Sequence, residues 1–358
     1  GYNYDSVDKA TLKITTGENV INVYYTKRND LSYTVNYLEK DTNKVLHEQK
    51  VVENMTFEDE ITSSNEIIAI DGYNYDSVDK AALKITTGEN VINIYYTKKT
   101  DLSYKVNYLE KNTNKILHEQ KTQGGMTFED EITSANEIIT IDGYNYDSVD
   151  KATLKITTEE NVINVYYTKR TNLSYKVNYL EKVTNKVLNA QKAVNNMTFE
   201  DEILSANEVI TIDGYNYDSV DKTSLKITTS ENIINIYYTK KNDLSYKVNY
   251  LEKDTNKILH EQKTQDGMTF EDEVNSSNEV INIDGYNYYG VDKTTLKITT
   301  GENVINIYYT KRTDLSYKVN YLEKGTNKIL HEQKIQDGMK FEDEITSANE
   351  VISIDGYN

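Results

Sequence analysis

Apolar and polar residues alternate along much of the chain, which is the pattern of β-strands with one buried face. From Leu102 to Tyr108 every second residue is apolar or aromatic. The polar residues 112–114 (Asn-Thr-Asn) indicate a turn, because short polar side chains bond their own backbone there. Residues 115–121 then return as a second strand. The pattern predicts a hairpin.

Two further segments have strand character. Residues 138–141 (Ile-Ile-Thr-Ile) predict a strand that runs into a turn at Gly143. Residues 154–156 and 162–168 predict a closing pair of strands joined across the polar residues 158–161.

The segment Thr127–Ile132 breaks the alternation. Phe128 and Ile132 are four residues apart, and three acidic residues follow the phenylalanine. Threonine can cap a helix, and acidic residues in the first turn are stabilised by the helix dipole. The pattern therefore predicts one short helix at this place.

The whole chain is one unit repeated without insertion or deletion. Glycine-tyrosine-asparagine recurs every 71 residues, at Gly1, Gly72, Gly143, Gly214, Gly285 and Gly356. Solenoid repeats are usually about 20–50 residues long, whereas a longer unit can close its own core. We therefore expect a mainly β fold with a short helix per unit, a β-grasp-like α+β domain. The units should form a tandem array of small independent domains, elongated like beads on a string.

Unit boundaries are placed in the short basic and polar stretch after each tyrosine pair, as in Tyr166–Leu173. No Pro-rich or Gly/Ser-rich linker marks them. The predicted whole units are 31–101, 102–172, 173–243 and 244–314. Residues 1–30 are then the C-terminal part of one unit, and 315–358 the N-terminal part of another. Since the chain starts at Gly1 without a leader, it is expected to be an internal segment of a longer protein.

Composition excludes several classes of protein. The 358 residues include 58 acidic and 40 basic side chains, for a net charge of −18, and no Cys. Nucleic acids and anionic membranes are bound by basic surfaces, so neither is an expected partner. Apolar runs fall far short of the roughly 20 residues of a membrane-spanning helix. Disulfides, Cys-type zinc sites and thiol nucleophiles are excluded.

Two groups of residues are candidates for metal binding. Acidic blocks recur at Glu58–Glu60, Glu129–Glu131, Glu200–Glu202, Glu271–Glu273 and Glu342–Glu344. Calcium prefers such oxygens, but the EF-hand pattern is absent, so solvated helix starts are the favoured interpretation. Four histidines share one strand position: His47, His118, His260 and His331. The unit 173–243 has Asn189 there, which argues against metal binding or catalysis.

No enzymatic motif is present. The sequence has no Gly-rich phosphate loop, no Gly-x-Ser-x-Gly elbow and no His-Glu-x-x-His. A small domain copied in tandem also offers little room for a substrate pocket. We therefore predict a protein that is not an enzyme, with no catalytic, cofactor-binding or metal-binding residues and no cofactor.

Each tyrosine pair, such as Tyr166-Tyr167, should place one ring in the core and the other outside. The outer tyrosines could stack on sugar rings. Alternatively, they could protect strand edges and pack between units.

The order of motifs in one unit resembles the MucBP (mucin-binding protein) repeats of Gram-positive surface proteins. The motifs are Tyr104-x-Val106-x-Tyr108, Gly125-x-x-Phe128, Ile141-Asp142-Gly143-Tyr144 and Asn161-Val162-x-x-x-Tyr166-Tyr167. The resemblance implies small β-rich domains related to the β-grasp fold in an exported, wall-associated protein. The sequence departs from the family in two places: Asn-Thr-Asn replaces an aspartate-glycine turn at 112–114, and Asn54 and Asn196 replace the glycine before the phenylalanine in two copies.

The expected function is therefore that of a non-enzymatic, repetitive cell-surface segment, located outside the cell and anchored to the cell wall. It would act as an adhesin or stalk able to bind mucin or other host glycans. Its link to peptidoglycan would be an anchor outside this segment. The alternative is a purely structural spacer that projects a distal binding or enzymatic domain.

Overall fold

A computed structural model describes all 358 residues of the chain, which divides into two compact units, Gly1–Thr171 and Asn172–Asn358. Both units are built of β-strands and short 3₁₀ turns, of which the whole chain has five, and neither unit contains an α-helix. No helix is long and apolar enough to cross a membrane.

A four-stranded sheet recurs four times, and each sheet takes all its strands from one 71-residue stretch. The spatial order is the same in each: return strand, opening strand, closing strand, tyrosine strand. In the second sheet these are the return strand Ile116–Met126, the opening strand Leu102–Glu110, the closing strand Val162–Lys169 and the tyrosine strand Tyr144–Val149.

The other copies have closely matching bounds. Opening strands are Leu31–Glu39, Leu173–Glu181, Leu244–Glu252 and Leu315–Leu322. Return strands are Val45–Met55, Val187–Met197, Ile258–Met268 and Ile329–Met339. Tyrosine strands are Tyr2–Val7, Tyr73–Val78, Tyr215–Val220 and Tyr286–Val291. Closing strands are Val23–Lys27, Val91–Lys98, Ile233–Lys240 and Val304–Lys311.

The opening and closing strands pair in parallel at the centre of each sheet, with Val162 opposite Lys105 and Tyr167 opposite Glu110. Parallel partners need a long crossover connection. Here the crossover contains the return strand, the tyrosine strand, a 3₁₀ turn and two short paired strands. The 3₁₀ turns are Ser63–Glu66, Ser134–Glu137, Ser205–Glu208, Ser276–Glu279 and Ser347–Glu350. The short pairs are Glu60–Thr62 with Ala82–Lys84, Glu131–Thr133 with Thr153–Lys155, Glu202–Leu204 with Ser224–Lys226, and Glu273–Asn275 with Thr295–Lys297.

The core lies on one face of the sheet, where the central strands bury every second side chain. Tyr104, Val106 and Tyr108 from the opening strand meet Ile163 and Val165 from the closing strand. The strand periodicity of two therefore predicts the core correctly in these strands.

One glutamate per copy, called here the anchor glutamate, ties the 3₁₀ turn to the sheet, and it is buried in the four complete repeats. Glu137 is 6% exposed; it accepts a hydrogen bond of 2.8 Å from the Tyr104 hydroxyl and one of 2.6 Å from Lys121 Nζ. Because both carboxylate oxygens have partners, the charge can stay buried. The same triad recurs as Tyr33-Glu66-Lys50, Tyr175-Glu208-Lys192, Tyr246-Glu279-Lys263 and Tyr317-Glu350-Lys334. Burial and the hydrogen bond to Glu279 raise the pKa of Tyr246 to about 12.

The predicted helix at Thr127–Ile132 is wrong. Asp130 accepts a hydrogen bond from the Thr127 backbone N–H at 2.7 Å, which closes a tight turn. Glu129 lies in the left-handed region with a φ of 66°, and the short strand begins two residues later. A residue in that region cannot continue a right-handed helix. The aspartate caps a turn by the same chemistry that would cap a helix.

Two predicted strand assignments are also wrong. Residues 138–141 form no strand, although the turn at Gly143 is present with a φ of 79°. The segment Thr153–Lys155 pairs with Glu131–Thr133 instead of the closing strand. The alternation identified the closing strand itself but not its partners, because both partners are distant in sequence.

The two ends of the chain contain half of a sheet each. The head segment, defined as residues 1–30, has only a tyrosine strand and a closing strand. The tail segment, defined as residues 315–358, has only an opening strand, a return strand and a 3₁₀ turn. Each is therefore a two-stranded antiparallel sheet, which is at best marginally stable by itself.

We predict that limited proteolysis at micromolar concentration removes the head and tail segments first. Mass spectrometry should then find a resistant core near 31–314, because only those residues belong to closed four-stranded sheets. If residues 1–71 survive as a compact fragment instead, the boundaries 31–101, 102–172, 173–243 and 244–314 are misplaced.

Candidate functional site: the junction between consecutive repeats

Consecutive sheets within one compact unit are joined directly. Only residues 99–101 separate the closing strand Val91–Lys98 from the opening strand Leu102–Glu110. The Lys99 carbonyl in this connection accepts a hydrogen bond of 2.8 Å from the backbone N–H of Phe128. The turn of one repeat is thus bonded to the end of the repeat before it.

The phenylalanine ring covers a glycine of the preceding repeat. A Cβ added to Gly72 would lie 2.3 Å from the Phe128 ring, so no other residue fits without displacing the ring. Gly72 also has a φ of 80°, which favours glycine. The Phe128 and Tyr73 rings meet edge to face, with centroids 5.5 Å apart. The phenylalanine ring of one repeat therefore packs on the glycine-tyrosine block of the repeat before it.

A second set of contacts surrounds Glu129, the next residue, called here the junction glutamate. It contacts Lys155 Nζ of its own repeat at 2.9 Å, and Lys98 Nζ and Lys44 Nζ of the preceding repeat at 3.1 and 3.5 Å. Hydrogen bonds from Lys155 and Lys98 lower the pKa of Glu129 to about 2. The carboxylate thus lies among three ammonium groups, two of which belong to the preceding repeat.

The same junction appears elsewhere within each compact unit. Phe57, Phe270 and Phe341 cover Gly1, Gly214 and Gly285. Their backbone N–H groups bond the carbonyls of Arg28, Lys241 and Arg312. The junction glutamates are Glu58, Glu271 and Glu342, and they pair with Lys27, Lys240 and Lys311 of the preceding repeats. Hydrogen bonds from Lys240 and Lys297 lower the pKa of Glu271 to about 2.

A further hydrogen bond crosses two of these junctions. The Thr158 hydroxyl donates to Asp71 at 2.7 Å, and the Thr300 hydroxyl donates to Asp213 at the same distance.

The acidic blocks do not bring their carboxylates together. Within the block Glu129–Glu131, the first side chain contacts lysines, Asp130 closes its turn and Glu131 is exposed. No group of three or more His, Asp or Glu side chains is placed to hold a metal ion.

The histidines lie on exposed positions of the return strands. His118 Nδ1 is 3.1 Å from the Glu119 carbonyl, and its ring meets Tyr108 edge to face. No carboxylate or second histidine joins it there.

Tyrosine pairs divide between the two faces as predicted. Tyr96 is fully buried, and its hydroxyl donates to the Ile68 carbonyl at 2.8 Å. Tyr95 is half-buried on the opposite face. A more exposed ring, 46% accessible, belongs to Tyr75 on the neighbouring tyrosine strand. Its equivalents Tyr146, Tyr217 and Tyr288 are exposed to a similar extent, and Tyr4 in the head segment is 60% exposed.

Sequence reasoning did not find the junction. It assigned Phe128 to Ile132 of its own unit, whereas the ring lies on the preceding repeat. One signal was present: the chain has only five phenylalanines, one for each copy of the acidic block. An aromatic residue fixed in number and place beside charged residues indicates a recurring contact.

No family model matches the sequence, and no curated protein matches it. Among solved structures, the chain is similar to SHIRT (Streptococcal High Identity Repeats in Tandem) domains 3-4 from a cell surface protein, at 18% identity and a TM-score of 0.17. That match covers 38% of this chain and 98% of the other. It is also similar to Mub-RV at 12% identity and a TM-score of 0.16, over 59% of this chain and 99% of the other. At such TM-scores neither likeness carries an argument about this chain.

We predict that Glu129→Gln lowers the melting temperature by a few °C at pH 7, since it removes the ion pairs. The folded pKa of about 2 lies below the ordinary value of 4.5. The carboxylate therefore stabilises the fold above pH 4.5, and this contribution is lost as the pH falls toward 2. In calorimetry, the difference between wild type and Glu129→Gln should shrink over that range.

The matched control is Glu131→Gln, two residues away in the same acidic block and exposed. It should melt like the wild type at every pH. An equal effect of the two substitutions would mean that net charge, and not the junction, is responsible.

Proposed function

We propose that this chain is a stalk segment of a bacterial surface protein, outside the cell and attached to the cell wall through an anchor that lies beyond these residues. The observation that carries the proposal is the junction. Each repeat within a compact unit is bonded to its neighbour by a half-buried phenylalanine ring, a backbone hydrogen bond and an ion cluster. Such contacts limit rotation between domains, which suits a part that holds other domains at a distance.

The polar groups of each repeat are used for structure, which supports a non-enzymatic role. The anchor glutamate binds a tyrosine and a lysine, and the junction glutamate binds lysines. The buried Asn161 amide donates to the Ser103 and Thr157 carbonyls. These side chains are therefore already committed to contacts within the protein.

Membership of the MucBP group and a β-grasp relationship are part of the proposal. Their support is the sheet order, in which the first and last strands pair in parallel at the centre and antiparallel strands flank them. In place of the short helix expected at Thr127–Ile132, the repeat has a tight turn that leads into the short strand Glu131–Thr133. The unit boundaries 31–101, 102–172, 173–243 and 244–314 are proposed on the same ground, because each sheet takes its strands from one of these ranges.

The stalk proposal predicts a fixed geometry between repeats 31–101 and 102–172. Since the chain has no Cys, spin labels can be attached at Glu48→Cys and Glu119→Cys, two exposed positions one period apart. Pulsed electron–electron double resonance should then give one narrow distribution of the distance between the two spin labels. Gly72→Ala should broaden it at least twofold, because the new Cβ displaces the Phe128 ring.

Gly88→Ala is the matched control in the same repeat. Gly88 has an ordinary φ, and its added Cβ would lie 3.7 Å from the nearest atom, so the distribution should not change. If the wild-type distribution is already as broad as that of Gly72→Ala, the repeats are independent beads and the rigid stalk is refuted.

An adhesive role is the second candidate, favoured by the exposed tyrosine on each tyrosine strand. Tyrosine rings present flat apolar faces with a polar tip and can stack on sugars. Five equivalent rings in one chain, Tyr4 among them, would bind a multivalent glycan such as mucin with avidity well above that of one site.

The adhesion proposal predicts that wild-type chain binds mucin-coated surfaces. Replacement of the five equivalent tyrosines by serine should reduce this binding about tenfold or more, as measured by surface plasmon resonance; they are Tyr4, Tyr75, Tyr146, Tyr217 and Tyr288. The control replaces five exposed aliphatic residues on the return strands by serine: Val45, Ile116, Val187, Ile258 and Ile329. Absence of wild-type binding, or an equal loss in the control, would leave the spacer as the function.

A further inference from the structure

The chain enters and leaves each complete repeat through its two central strands. In the repeat 102–172 it enters at the opening strand Leu102–Glu110 and leaves at the closing strand Val162–Lys169. Only residues 99–101 connect this repeat to the closing strand of the repeat before it. Tension along the chain therefore reaches a repeat through these two strands before any other element.

The two strands lie side by side and run parallel, so their loaded ends point in opposite directions. Lys105 lies opposite Val162 near the entry, and Glu110 lies opposite Tyr167 near the exit. Tension pulls the opening strand back past the closing strand along their common axis. The evenly spaced hydrogen bonds of the parallel pair then share the load in shear and must break together.

The order of strands places this pair at the point where the repeat must part. The sequence return, opening, closing, tyrosine strand divides the sheet into two antiparallel halves that meet only at the central pair. The return strand is joined to the opening strand by its hairpin and moves with it. Because a two-stranded half is at best marginally stable alone, rupture of the central pair should unfold the whole repeat in one step.

Side-chain bonds cross the same interface. Asn107 Nδ2 donates to Asn164 Oδ1 at 2.8 Å, and Asn161 Nδ2 donates to the Ser103 carbonyl at 3.1 Å. Each of these bonds joins the opening side of the sheet to the closing side, so each adds to the load that the interface can carry. The asparagine pair recurs in the other complete repeats as Asn36-Asn93, Asn178-Asn235 and Asn249-Asn306.

We propose that the parallel pair of each complete repeat is a mechanical clamp and that the repeats carry tension along the chain. The inference concerns force within one repeat, whereas the stalk proposal concerns the geometry between repeats. It rests on the stalk proposal only for the origin of the tension, because a stalk held at both ends is pulled along its length.

The direction of pulling tests the clamp. Since the chain has no Cys, pairs of cysteines can serve as handles in the whole chain. Asp101→Cys with Thr171→Cys loads the repeat 102–172 in shear, and Ser103→Cys with Glu159→Cys separates the same strands from one end; all four positions are exposed. In optical tweezers the second pair should unfold the repeat at a force about threefold lower or more, because it loads the six paired positions one at a time.

The asparagine pair tests the interface itself. Replacement of the asparagine on each opening strand by alanine removes the bond to the closing strand. At a fixed force along the chain, each repeat should then unfold about fivefold faster, since forced unfolding follows the unfolding rate. The residues replaced are Asn36, Asn107, Asn178 and Asn249.

The matched control is a glutamine in the same row of amides. Gln120 donates to Asn107 at 2.6 Å, a bond that lies within one half of the sheet and does not cross the central pair. Replacement of the glutamines by alanine should therefore leave the unfolding rate under force at the wild-type value. The residues replaced are Gln49, Gln120, Gln191 and Gln262.

Two results would overturn the clamp: equal unfolding forces in the two pulling directions, or equal changes of the rate in the asparagine and glutamine variants. The pulling directions are compared in one otherwise unchanged repeat, so that test holds even where an asparagine variant folds poorly. A broad spin-label distribution would refute the rigid stalk without affecting these results. Equal forces would refute the clamp and leave the stalk geometry standing.

Discussion

The parallel pairing of the first and last strands of each repeat is the contact on which the rest of the structure depends. It brings together residues such as Val106 and Ile163, which are far apart in sequence, and it places both at the centre of the core. Because the strands between them must cross over, no part of the repeat can close its core alone. A repeat that lacks either central strand exposes the other, as the head and tail segments do.

This pairing also determines where neighbouring repeats meet. The closing strand lies at the centre of its sheet and ends at Lys98, and the next opening strand begins only four residues later. Because this connection is short, the turn that contains Phe128 packs against Gly72. The junction thus uses two of the positions in the repeat that have positive φ, a glycine and a glutamate.

Local patterns predicted the central strands, the core residues on them, the hairpin and the division of each tyrosine pair. They failed for residues whose contact partner is distant in sequence. The residues Thr127–Asp130 have the composition of a helix start, but the Asp130 carboxylate closes a turn instead. The short strand Thr153–Lys155 was assigned to its neighbour along the chain, whereas it pairs across the crossover. Phe128 could not be assigned from one unit, because its contact exists only between two.

Near-identical repeats face a particular folding hazard, because a closing strand could pair with the opening strand that follows it. Residues 99–101 are too few for a parallel crossover, but they could close an antiparallel hairpin between Val91–Lys98 and Leu102–Glu110. That hairpin would align two apolar faces, so hydrophobic burial alone does not exclude it.

Buried polar contacts oppose the wrong pairing. In the native repeat the Tyr167 hydroxyl bonds the Ile139 backbone, and the Asn161 amide bonds the Ser103 carbonyl. The Asn161 bond requires the closing strand to start beside its own opening strand, and the Tyr167 bond requires it to lie against the segment that contains Ile139 in the same repeat. An antiparallel neighbour would leave a buried hydroxyl and a buried amide without partners, at a cost of about 1–3 kcal/mol each. The apolar faces therefore drive the sheet together, while these few polar groups select which copy of the strand is used.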